Sequence, residues 1–135
     1  MVYLSEVLGF KKQFVEPILQ GTKIHTIRLD LGGRWKEGNS IQFATGVRTS
    51  NYNEFKTGVC FSVQEIEISW VSNGDGQHPV PIMEVEVDGK ILNWEEKVEL
   101  AKNDGFPNIE EFAEWDAWNK VDFIGKIIHW TEKKY

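Results

Sequence analysis

The chain has 135 residues, 41% of them hydrophobic and 27% charged, with a formal net charge of −6 and one cysteine, Cys60. That composition belongs to an ordinary globular domain rather than a disordered chain, and a lone cysteine excludes an internal disulfide framework or a cysteine zinc cluster. Apolar runs fall far short of the roughly 20 residues a membrane-spanning helix needs. The N-terminus carries no basic flank ahead of an apolar signal core, so one cytoplasmic domain over residues 1–135, with no membrane partner, is expected.

In chain order, Phe10, Phe14, Val15, Ile18 and Leu19 recur at helical spacing, with Gly21 placed to cap the C-terminus. Pro17 fits the middle of that helix badly, which predicts a bend or a second short turn there. Residues 24–29 and 40–44 read as strands. Residues 59–70 read as a long strand with a phase break: Val59, Phe61 and Val63 are apolar at odd positions, whereas Ile66, Ile68 and Trp70 are apolar at even ones. Continuous burial predicts a bulge near Gln64 and Glu65. Met83, Val85 and Val87 alternate with Glu84 and Glu86, and Asp88-Gly89 supplies a hairpin turn before Lys90, Ile91 and Leu92.

Two helices follow. Asn93 precedes Glu96, and Asn108 precedes Glu111, by three residues, the capping-box spacing with Asn as cap. Trp94, Val98 and Ala101 are expected to form one apolar stripe; Ile109, Phe112 and Ala113 form part of another. Residues 123–130 close the chain as an apolar strand. The order predicts an α+β fold: a small, mostly antiparallel β-barrel carrying helices on its outside.

Charge is unevenly distributed. Residues 11–37 hold six Lys/Arg against Glu16, Asp30 and Glu37, a balance of +3, whereas residues 84–116 hold eleven acids against three lysines, a balance of −8. The total disfavours a long duplex DNA partner; the local excess suits a small or single-stranded ligand.

Residues 23–28 gather an amine, an imidazole, a hydroxyl and a guanidinium where a helix gives way to a strand. Lys23 is either a solvated lysine after a helix or, if desolvated beside Arg28 and His25, a base. Thr26 is either a structural β-branched residue or a second group with a part in the chemistry. On a strand Thr26 shares a face with Arg28, so Lys23 reaches it only if residues 22–24 form a turn. Asp104, before Gly105, is a favoured turn residue or a carboxylate folded over the site. Trp35 beside Arg34 offers a surface for stacking a base. His25, His78 and His129 lack zinc-ligand spacing, and there is neither a phosphate-binding glycine loop nor a serine nucleophile elbow. No metal or cofactor is expected.

Residues 10–28 (FKKQFVEPILQGTKIHTIR), an apolar helix followed by Gly-x-Lys-x-x-Thr-x-Arg, resemble the opening of an ASCH domain. Residues 100–106 (LAKNDGF), the capped helix after them and the closing strand resemble the family's later segments. The resemblance implies a PUA-like barrel whose cleft is lined by the Lys-x-x-Thr-x-Arg segment and whose ligand is RNA or a modified nucleoside. One bacterial branch removes the acetyl group from N4-acetylcytidine with a lysine proton acceptor, a threonine nucleophile and a glutamate proton donor. Those roles fall here on Lys23, Thr26 and Asp104, with His25, Arg28, Arg34 and Trp35 as ligand-binding candidates. Asp in place of Glu shortens the donor's reach. Three readings therefore stand open: an amidohydrolase of an acylated nucleoside, a non-catalytic module binding short single-stranded RNA, and a ribonuclease or protein-interaction domain.

Overall fold

A computed structural model describes residues 4–73 and 80–135; residues 74–79 of the stretch 71–92, His78 among them, lie outside the described residues. The chain opens with β1 (Ser5–Gly9), which the sequence reading missed, and a 3-10 turn at Lys12–Phe14. Helix α1 (Val15–Gln20) follows and ends on Gly21, whose φ of 81° is left-handed. Pro17 is the third residue of α1, inside the first turn, where its missing N–H has no intrahelical acceptor to forgo. The remaining elements are β2 (His25–Arg28), β3 (Ser40–Thr45), β4 (Asn53–Val59), β5 (Ser62–Asn73), β6 (Val80–Val87), β7 (Lys90–Ile91), α2 (Trp94–Asn103), α3 (Ile109–Ala113) and β8 (Phe123–His129).

The strands form two sheets, one ordered β1-β3-β4 and the other β2-β8-β5-β6-β7. All pairs are antiparallel except β1 with β3. The chain is thus a small α+β protein dominated by antiparallel sheet, as expected, but among the described residues no ladder joins the two sheets into a closed ring.

The phase break in residues 59–70 has a different cause from the one expected. It marks a change of sheet, not a bulge: β4 ends at Val59 in the first sheet and β5 starts at Ser62 in the second. Beyond it, β5 pairs with β8 in unbroken register from Ser62 to Ile68. Ser62 and Gln64 take inward positions beside Ile66 and Ile68, while Val59 and Phe61 stay half exposed. Gln64 is tolerated inside because its amide is satisfied by His129 and Tyr135. The register shift observed lies instead in β3, between Phe43 and Ala44.

Asp88 and Gly89 form the expected hairpin turn, both with positive φ. Asn93 caps α2 in a reciprocal box with Glu96, and the Asn108 side chain caps α3. The stripe expected on α2 holds at Val98, packed against the core, and at buried Ala101, which Leu100 joins, but not at Trp94, which is 62% exposed with Lys97 over its ring. Ile41 and Phe43 from one sheet, Ile66, Val85 and Ile127 from the other, and Leu100 and Phe112 from the helices share one core. No helix among the described residues is long and apolar enough to cross a membrane.

Candidate functional site

The left-handed turn at Gly21 sends the chain back over α1, where Thr22 and Lys23 both donate backbone N–H groups to the Pro17 carbonyl at 2.9 and 3.0 Å. One residue on, the Ile24 N–H donates to the Asn103 carbonyl at 2.8 Å, tying this loop to the end of α2. That bond brings together side chains 81 residues apart. Lys23 Nζ donates to the Asp104 carbonyl at 2.5 Å and to Asp104 Oδ1 at 3.2 Å. Asp104 ends α2, and Gly105 after it has a φ of +92°. A Cβ there would stand 2.8 Å from Lys23 Cδ, so glycine both makes the turn and leaves room for the lysine stem. Gly105→Ala is therefore expected to destabilise the chain by about 1–3 kcal/mol, read by chemical denaturation; an unchanged midpoint would contradict this close packing.

Lys23 is 1% exposed, with Nζ 4.7 Å from the Phe14 ring centre and 5.8 Å from that of Phe10. Burial pushes its amine down from 10.5 to about 8, with the Asp104 charge opposing and the Arg28 charge adding to the fall. An ammonium has three N–H groups, and the third finds no hydrogen-bond partner among the described residues.

His25 shares that carboxylate oxygen, its Nδ1 3.1 Å from Asp104 Oδ1 and its Nε2 2.6 Å from the Tyr135 hydroxyl. Burial holds this imidazole below its ordinary range, so it is neutral. A carboxylate oxygen accepts, so Nδ1 carries the hydrogen and Nε2 accepts from the Tyr135 hydroxyl, which itself accepts from Asn103 Nδ2 at 3.0 Å. Burial also raises the Tyr135 phenol, keeping that donor protonated. The result is a directed chain from Asn103 through Tyr135 and His25 to Asp104 Oδ1, the oxygen to which Lys23 also donates.

Lys23, Thr26, Arg28 and Asp104 line one cleft of about 640 Å³. Thr26 is buried, and its Oγ1 accepts from Arg28 Nε at 3.4 Å; the Arg28 guanidinium donates to the Gly9 carbonyl at 2.5 Å and lies over the Phe10 ring. The remaining wall is aromatic: Phe14, Phe106 and Trp115 meet edge to face at 5.3–5.6 Å between centres, and Trp118 and Phe123 continue it. At the rim Lys11 lies 4.8 Å over Trp115, and Asp122 faces the same hollow. A flat ring flanked by a cation suits such walls.

The other ligand candidates lie elsewhere. His25 supports Asp104 without lining the cleft. Arg34 and Trp35 border a neighbouring hollow that shares Gly9, Arg28 and Leu29 with the first. Arg34 is engaged with the Val7 carbonyl and Glu6, and its guanidinium covers a Trp35 ring only 5% exposed. Trp35 is thus a core residue rather than a stacking platform. His129 is buried against Gln64 and pushed down to about 3. Cys60 is buried with its thiol pushed up to about 11, which removes it as a nucleophile. Among the described residues no group of three His, Cys, Asp or Glu side chains is placed to hold a metal. The sequence reading missed Tyr135, Asn103 and the wall residues Trp115 and Trp118. Only Asn103, beside Asp104 in the resembling segment, carried a local signal.

No protein-family model matches the chain, and neither a curated protein nor a solved structure similar to it was found.

Proposed function

We propose that the protein is a small ASCH-type amidohydrolase that removes an acyl group from a modified nucleoside such as N4-acetylcytidine. The observation that carries this reading is Lys23: an amine of lowered basicity, buried against Phe14 and held by Asp104, in the same cleft as the Thr26 hydroxyl and the Arg28 guanidinium. Neutral Lys23 takes the Thr26 proton as the oxygen attacks the amide carbonyl, and Arg28 stabilises the oxyanion. The Lys23 ammonium so formed gives its proton to the leaving amine. Water, deprotonated by the same lysine, then hydrolyses the threonine ester and restores the hydroxyl. Asp104 already accepts from Lys23 and His25, so its part in this scheme is to hold the ammonium rather than to donate a proton. The PUA-like fold belongs to the same reading and is supported by the antiparallel bias and by a cleft at the helix-to-strand junction.

A second reading is a non-catalytic module for short single-stranded RNA, favoured by the aromatic walls and the Lys11 and Arg28 cations at the cleft. Incubation with N4-acetylcytidine separates the two. The hydrolase releases cytidine at a rate that climbs about tenfold per pH unit below pH 8 and levels above it, as Lys23 loses its proton. No release above buffer, together with salt-sensitive binding of RNA oligomers, would favour the module.

A further inference from the structure

Among the described residues β2 pairs only with β8, which makes it an edge strand, and its Thr26, Ile27 and Arg28, with Leu29 just beyond, line the cleft. Antiparallel ladders bond alternate residue pairs. The Trp130 N–H donates to the Ile24 carbonyl, and the opposing register continues as Thr26 with Ile128 and Arg28 with Lys126. The bonded pairs are therefore at 24, 26 and 28. The other neighbour of β8 agrees: the His129 carbonyl turns away from β2 to accept from Phe61 N–H at 2.8 Å. The backbone N–H and C=O of Ile27 thus point outward from the sheet. Ile27 is also among the residues that line the cleft, while its side chain belongs to the core and the residue is 6% exposed.

We propose that this outward N–H and C=O read a planar ligand carrying an acceptor atom next to an N–H donor, with Thr26 Oγ1 and the Arg28 guanidinium on either side. An edge residue leaves both groups unpaired until something adds to them, and a hollow of about 640 Å³ with aromatic walls fits a ring better than an added polypeptide strand. The inference rests on the nucleoside reading for its substrate class. In an N-acylated aminopyrimidine the ring nitrogen beside the exocyclic N–H is that acceptor–donor pair. The Ile27 N–H donates to the ring nitrogen, and the Ile27 carbonyl accepts from the N–H of the amide to be cleaved.

Two comparisons test it, both read as dissociation constants by calorimetry on the Thr26→Val protein, which lacks the nucleophile. N4-acetyl-N4-methylcytidine, without the N–H, is expected to bind at least about tenfold more weakly than N4-acetylcytidine. Protein carrying the α-hydroxy acid analogue of isoleucine at position 27, which keeps the side chain but replaces the N–H by oxygen, is expected to lose a similar factor. Equal affinities for the two nucleosides on unmodified backbone would overturn the inference even if the ester form fails to fold. Displacement of the nucleoside by an extended Val/Thr peptide would also overturn it, assigning the edge to strand addition. If the discrimination holds but wild-type protein releases no cytidine, the hydrolase reading fails and the edge reading stands; turnover without discrimination is the reverse.

Discussion

Replacing Lys23 by methionine is expected to slow release of cytidine from N4-acetylcytidine by about 10²–10⁴-fold, the usual contribution of a positioned base, without unfolding the chain. Methionine fills much of the lysine's volume and packs well against Phe10 and Phe14, and Asp104 keeps its bond from His25. The same substitution has a signature independent of catalysis. The Lys23 amine loses its proton near pH 8 in the folded chain and near 10.5 when unfolded. Between those values the unfolded state binds more protons, so this group makes the folded state more stable as pH rises through that window. The rise in denaturation midpoint between pH 7.5 and 9.5 should therefore be larger in the wild type than in Lys23→Met. Parallel pH profiles for the two proteins would contradict a desolvated lysine.

The second large effect concerns Asp104. Its charge is the chief influence holding the Lys23 proton on against burial. Asp104→Asn removes the charge and retains a carbonyl acceptor for His25, so the Lys23 titration, followed by NMR of labelled lysine, is expected to move below about 8. The pH at which turnover levels off should move with it. A titration that stays in place or moves upward would show that Asp104 does not govern the amine. Asp104→Ala goes further, removing the partner of a buried cation at an expected loss of about 3–5 kcal/mol in stability. The gap between the two variants measures how much of the pair is charge and how much is acceptor.

Both effects rest on a contact only partly legible in the sequence. The turn at Gly21, the strand through Thr26 and Arg28 and the Asn caps could be read because each is local, set by neighbouring residues and backbone preference. Lys23 and Asp104 were candidates for separate reasons. Their meeting depends on a backbone bond between Ile24 and Asn103, which periodicity does not reveal. Tyr135 gives no local signal of its place behind His25. The phase break misled because polar Gln64 is buried where an apolar residue would be counted on, and its satisfaction depends on His129 and Tyr135, distant in sequence. Trp35 beside Arg34 looked like a stacking pair, yet whether an aromatic ring faces solvent is decided by packing. Closure of a barrel is likewise a matter of non-local pairing, and the antiparallel bias alone did not determine it.

The proposed hydrolase depends on Thr26 and Lys23 acting as one nucleophilic unit, and a trapped acyl group tests that most directly. Wild-type protein quenched in acid during turnover of N4-acetylcytidine, digested and sequenced by mass spectrometry, should carry one acetyl group as an ester on Thr26, absent from Lys23→Met. Undiminished turnover by Thr26→Val, with no acetyl group on the wild-type threonine, would contradict it.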